Sequence, residues 1–195
     1  GQTGSITVMW EPSDPPGTYY IRARAQDSLG AWSGWSPCLV VNIKSGYVGG
    51  CPMLYVNNGS GYVYEGLLNI HNIDDIDVIF THTLLSKPAR VRGTHQLKLV
   101  EHPQTWSHID QVKLYALLED GTIKELPLIS AWHSEYGNVL PKLLFSDERK
   151  TEIKGANHNN GISQNIHLKF LALPPNKRAT TYIFKIEGNN LYYKE

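Results

Sequence analysis

A chain of 195 residues has the length of one large domain or two small ones, and its 18 Lys and Arg balance 18 Asp and Glu to a formal charge of zero. Charged residues are 18% of the chain, against about 25% in average soluble proteins, which excludes a basic surface that tracks phosphates. Hydrophobic residues at 41%, with 11 Tyr and 5 Trp, indicate a packed protein, and no apolar run approaches the roughly 18 residues that span a bilayer.

Along most of the chain, β-branched and aromatic residues alternate with polar ones between clusters of Gly, Pro, Asn and Asp. No long amphipathic helix interrupts this period of two, so the expected fold class is all-β, built from β-sandwich elements. The opening Gly1-Gln2-Thr3-Gly4-Ser5 has neither an initiating Met nor a signal-peptide pattern, and reads as processed or cut from something longer. The first predicted strands cover 6–10, 19–26 and 39–43. In the second of these, Arg22 and Arg24 are two apart and share a face, while Trp32 and Trp35 follow a turn at Gly30 onto the returning strand. Guanidinium planes interleaved with indole rings make a structural cation–π ladder, each contact worth about 0.5–2 kcal/mol.

Trp32-Ser33-Gly34-Trp35-Ser36 matches the Trp-Ser-x-Trp-Ser pattern of cytokine-receptor modules. With Tyr19-Tyr20-Ile21-Arg22-Ala23-Arg24-Ala25-Gln26-Asp27 before it, the passage resembles the last strands of a fibronectin type III-like, immunoglobulin-like sandwich of prokaryotic surface proteins. The resemblance implies that residues 1–45 are a partial module, since a whole one has about seven strands and 100 residues. Three completions stand open: strands from a longer parent chain, packing on the second domain, or a strand lent by a neighbouring chain. The third describes a filament subunit, because a head-to-tail contact that does not close forms an open polymer.

Residues 46–51 are a Gly-rich junction, flanked by the two cysteines Cys38 and Cys51. A disulfide between them and two buried thiols are the alternatives; a bridge closing a loop of roughly 15 residues adds about 3 kcal/mol. Asn58-Gly59-Ser60 is an N-glycosylation acceptor pattern centred on Asn58. Both clues point to an extracellular or cell-surface location.

Residues 52–195 form the expected larger C-terminal β-sandwich, with strands at 53–57, 62–65, 77–83, 95–101, 109–118, 123–129, 165–172 and 180–187. Glu119-Asp120-Gly121 is the clearest hairpin turn, joining 109–118 to 123–129. Cys51-Pro52-Met53-Leu54-Tyr55-Val56-Asn57-Asn58-Gly59 and Ile109-Asp110-Gln111-Val112-Lys113-Leu114 resemble a domain at the tails of large bacterial and archaeal cell-surface proteins. That resemblance transfers no catalytic motif.

Three constellations carry candidate chemistry. Asp74, Asp75 and Asp77 offer carboxylates to a calcium ion, though without the Gly and terminal Glu of an EF-hand loop, so no cofactor is expected. Glu101 and His102 with His108 and Asp110 would converge if the strands around Pro103 paired as a hairpin. Trp132 and Tyr136, with the Asn-rich segment 157–161, have the aromatic faces and amides that a sugar contact needs. No Gly-x-Ser-x-Gly elbow, His-Glu-x-x-His, phosphate loop or dinucleotide fingerprint is present. The expectation is a non-enzymatic, extracellular structural or adhesive module that makes protein–protein contacts, extending to a fibre subunit assembled by strand complementation. The alternative is a carbohydrate-binding module. Nucleic acid and membrane-spanning roles are not expected.

Overall fold

The computed structural model describes residues 17–21, 24–34, 39–43, 51–70, 77–147 and 149–191. The chain divides into two units, Gly1–Val48 and Gly49–Glu195. In the first, β1 (Gly17–Ile21) pairs antiparallel with β2 (Leu39–Ile43), Gly17 lying opposite Ile43 and Ile21 opposite Leu39. Between them Gln26 bridges Trp32. The reversal is made by Asp27, whose Oδ1 accepts from the backbone N–H groups of Leu29 and Ala31, both at 2.9 Å. Gly30 completes it at φ +87°, a conformation that glycine adopts without a Cβ penalty. The predicted strand at 6–10 lies outside the described residues.

The second unit contains β3 (Met53–Asn57), β4 (Tyr62–Leu67), β5 (Val78–Thr83), β6 (Thr94–Val100), β7 (Trp106–Leu118), β8 (Ile123–Leu126), β9 (Leu128–His133) and β10 (Gly137–Asn138). These are followed by α1 (Leu140–Leu143), β11 (Thr151–Lys154), a 3-10 turn at Ala156–His158, β12 (Asn165–Leu171) and β13 (Ala179–Leu191). They form two antiparallel sheets. One has six strands in the order β10-β9-β12-β6-β3-β4; the other runs β11-β7-β13-β5, with β8 also paired to β7. Among the described residues no helix is long and apolar enough to cross a membrane.

Strict alternation explains the two layers. In β6 and β12 every second residue is buried, so Leu97, Leu99, Ile166, Leu168 and Phe170 present one apolar face to the other sheet. Ile109, Leu114, Phe184 and Ile186 answer from the five-stranded sheet, all fully buried. Phe170 meets Phe184 across the core edge-to-face, with centroids 6.5 Å apart, a geometry that aromatic quadrupoles favour. Each such side chain contributes about 1.5–3 kcal/mol on burial. A polar bridge here joins Tyr182 Oη and His95 Nε2, 3.2 Å apart.

The predicted strand at 123–129 is two strands. Pro127 has no N–H to give to a ladder, and on either side of it β8 pairs with β7 while β9 joins β12 in the other sheet. The Glu119–Gly121 turn does join β7 to β8, but only Gly121 has a positive φ, +81°. The Leu118 N–H donates to Thr122 O at 2.8 Å, giving a three-residue loop with a left-handed glycine at its end. Strands β7 and β13 run to 13 residues each, longer than their predicted spans, and β10, α1 and β11 had no sequence counterpart.

Candidate functional site

The outer face of the six-stranded sheet gathers chemistry from five strands. Residues opposite one another in an antiparallel pair share a face. Trp132 lies opposite His167, His167 opposite Lys98, Lys98 opposite Tyr55, and Tyr55 opposite Tyr64. Four strand spacings of about 4.8 Å make this row about 19 Å long. A second row beside it holds Ser130, Lys169 and Gln96, with Asn57 Nδ2 donating to Gln96 Oε1 at 3.3 Å and Tyr62 opposite Asn57.

Alternation puts both tyrosines of β4 on this face, opposite Asn57 and Tyr55, and a bulge follows them. Leu54 pairs with Gly66 and Tyr55 with Tyr64, leaving Glu65 as the extra residue. Its carboxylate turns inward, fully buried, and accepts from the backbone N–H groups of Leu85 at 2.8 Å and Ser86 at 2.9 Å. His82 Nε2 lies 3.9 Å away.

The side chains of the face touch one another. Lys98 Nζ sits 5.1 Å from the Tyr55 centroid and 5.0 Å from that of Tyr62, within cation–π range. The Tyr55 and Tyr64 rings meet edge-on at 5.6 Å, and Tyr62 Oη lies 3.4 Å from His167 Nδ1. Trp132 is 58% exposed and Tyr64 55%. The indole of Trp132 lies over Gly137, whose φ of +71° suits glycine. Burial pushes the Tyr62 and Tyr64 phenols up, so both remain hydroxyl donors at neutral pH. Burial, then Lys98 and Lys169, pushes the His167 imidazole down from its ordinary 6.5. No carboxylate occurs at the outward register positions of this sheet. Among the described residues none lies within ion-pair distance of Lys98 or Lys169.

The sequence-derived candidates are distributed as follows. Trp132 belongs to the row. Tyr136 stacks on His133, with centroids 4.5 Å apart and planes at 16°. His133 follows Trp132 on β9 and is fully buried, while Tyr136, stacked on it, keeps about half of its surface exposed. The segment 157–161 is tied to the loop after β6, through the Asn157 N–H to Pro103 O at 2.9 Å and His158 Nε2 to Gln104 O at 3.3 Å.

Glu101, His102, His108 and Asp110 do not converge. Glu101 is fully buried, accepting from Thr105 Oγ1 at 2.6 Å and the His102 N–H at 3.2 Å. Desolvation lifts its pKa to about 7. His108 Nε2 faces Glu152 Oε2 at 3.8 Å, while Asp110 faces Ser146 and the Asp147 backbone. Of the calcium candidates, Asp74 and Asp75 lie outside the described residues, and Asp77 accepts from Lys150 Nζ at 2.7 Å. Among the described residues no group of three His, Cys, Asp or Glu side chains is placed to hold a metal.

Cys38 lies outside the described residues, and no disulfide occurs among those described, where Cys51 is the one cysteine. Cys51 is buried, its Sγ 3.8 Å from Asn69 Oδ1. Asn58 is exposed at the β3–β4 tip, its Oδ1 accepting from the Ser60 N–H at 3.0 Å. The Arg24 guanidinium lies 4.1 Å from the Trp32 ring, whereas Arg22 and Trp35 lie outside the described residues.

Sequence reasoning missed Tyr55, Tyr62, Tyr64, Lys98 and His167 as members of one face. The tyrosines on either side of the Asn58-Gly59 turn, with Tyr62 and Tyr64 two apart, were a legible signal for three of them. Lys98 and His167 carried none, because their neighbours come from strands distant in sequence.

No known protein family matches this chain, and no match is found among curated proteins or solved structures. The fibronectin-like and surface-protein resemblances therefore rest on their motif residues alone.

Proposed function

We propose that the chain is a non-catalytic adhesive module of an extracellular prokaryotic surface protein, and that it binds carbohydrate on the outer face of its six-stranded sheet. The carrying observation is the outward-facing row of Trp132, His167, Lys98, Tyr55 and Tyr64, in which Trp132, His167 and Tyr64 are exposed and Lys98 and Tyr55 half-buried. Aromatic faces are electronegative at their centres and attract the weakly positive C–H face of a sugar ring. Sugar hydroxyls need donors and acceptors at the same time, and Tyr62, His167, Gln96, Asn57 and Ser130 offer both. A row crossing five strands suits several sugar units in line better than a single ring. A fibronectin type III-like segment ahead of a binding sandwich is a fitting arrangement for such a module.

The test is a polysaccharide array probed with the intact chain and with Trp132→Ala and Tyr64→Ala variants. At least one glycan should be retained, and each substitution should weaken it by about tenfold or more, as loss of an exposed aromatic anchor does. Retention of no glycan, or binding indifferent to both substitutions, overturns the proposal.

A second reading, the fibre subunit, has one observation in its favour. Among the described residues the first unit has a two-stranded sheet, and two strands alone are marginal in water. A donor strand from a neighbouring chain would saturate the open edge with main-chain hydrogen bonds. Light scattering and electron microscopy of the purified chain should then show polymers, and a strictly monomeric particle refutes this reading.

A further inference from the structure

We infer that the glycan recognised by this face is acidic, a polysaccharide bearing uronate or sulfate groups, with Lys98 and Lys169 as its counter-charges. The inference rests on the carbohydrate reading and narrows it to one chemical class.

The chain is neutral as a whole, so a surface carrying two lysines and no carboxylate is a matter of placement. The lysines on the outer face of the five-stranded sheet show the contrast. Lys113 pairs with Glu125 at 3.1 Å, Lys154 with Glu152 at 2.6 Å and Lys185 with Glu187 at 3.5 Å. Lys98 instead rests between two tyrosine rings at 5.1 and 5.0 Å. Those rings hold the ammonium in place and leave its charge uncompensated, so an arriving anion meets a positioned cation.

Lys169 is two residues from His167, which lies opposite Lys98. That diagonal offset puts the two lysine backbones about 7–8 Å apart, within one Debye length of each other. Their fields therefore add over the second row and over the His167 imidazole, which both lysines push toward its neutral form. Neutral at pH 7, His167 offers one donor and one acceptor to hydroxyls between the cations.

Single-stranded nucleic acid also stacks on aromatic rings beside lysines, but it carries a phosphate at every unit and rewards a long basic track. Two lysines on a neutral chain match a polymer whose charges are sparser and whose rings carry hydroxyls. Acidic glycan is therefore the favoured occupant.

The experiment measures binding of the intact chain to polygalacturonate, alginate, hyaluronan and dextran sulfate, to methyl-esterified polygalacturonate, xylan and dextran, and to oligothymidine. Each is run at low and at high salt, with Lys98→Gln, Lys169→Gln and Trp132→Ala. All three residues are on the surface, and circular dichroism checks that the variants fold. At least one acidic glycan should bind, with affinity falling as salt rises. Lys98→Gln should weaken it by about tenfold and Lys169→Gln by less, the scale of a charge-assisted contact, and Trp132→Ala should weaken acidic and neutral glycans alike. If neutral glycans bind as well as acidic ones and Lys98→Gln changes nothing, the inference falls while the carbohydrate reading survives. Binding of no glycan removes both, and oligothymidine bound more tightly than any acidic glycan overturns the inference in favour of nucleic acid.

Discussion

The two sheets of the second unit bury similar apolar faces and treat their outer lysines in opposite ways. On the five-stranded sheet Lys113, Lys154 and Lys185 each meet a carboxylate, and Lys154 Nζ also lies 4.7 Å from the Trp106 centroid. On the six-stranded sheet Lys98 lies against Tyr55 and Tyr62, with no carboxylate at the sheet's outward register positions. Exposed ion pairs contribute about 0–1 kcal/mol to stability, so the pairs on the first face matter more for cancelling its field than for holding the fold. A zero net charge can thus hide one electrostatically closed surface and one open one.

Removing the buried carboxylate beside the tyrosines should have the largest effect. Glu65→Ala takes the carboxylate from the Leu85 and Ser86 N–H groups, and should destabilise the unit by about 1–3 kcal/mol in a denaturant titration, with weakened glycan binding as the β4 bulge relaxes. Glu65→Gln keeps one acceptor oxygen and should cost less.

Glu101 directly follows strand β6, where the chain passes toward β7 in the other sheet. Its folded pKa of about 7 lies above the ordinary 4.5. Between those values the folded state binds the proton and the unfolded state does not. Stability should therefore fall as pH rises through that window, by up to about 3 kcal/mol, and level off above it. Glu101→Gln should abolish this slope and leave the variant more stable than the parent in mildly alkaline buffer, as read by thermal melts. A parent melting curve that does not change over the window refutes the assignment.

A smaller effect sharpens the contrast between faces. His167 faces Lys98 on β6, Tyr62 on β4 and Trp132 on β9, with Lys169 on its own strand. Its depressed pKa keeps it neutral at pH 7. Acidification below its ordinary 6.5 should charge it and raise affinity for an acidic glycan a few-fold, and His167→Gln should flatten that rise in a binding isotherm series. The smallest change expected is that of Glu125→Gln, which leaves Lys113 without its partner. Stability should move by no more than about 0.5 kcal/mol, and the altered face should still bind no acidic glycan, because a lone cation without an aromatic row is not a site. Glycan binding by that variant would break the comparison.

Local alternation made much of the second unit legible. Strand β3 falls where the alternation ends at Asn58-Gly59, and β6 and β12 lie within a residue of their predicted limits. Side-chain parity is a property of neighbouring residues, and the core lists itself once the inward parity is known. The division at Pro127 was less visible, since the apolar residues continue through it and only the missing N–H marks the change of sheet. The short β10 and β11 lack enough residues for a period to show.

By itself, then, the sequence determined an all-β chain, the parity of its strands and its neutral charge. Those depend on spacing within a single segment. Only the tertiary structure decided that Trp132 shares a face with Lys98 and Tyr55 and that Tyr136 stacks on His133. The reason is the order of strands: β9, β12, β6 and β3 become neighbours through pairings between segments distant along the chain, and no local rule states which strand will lie beside which.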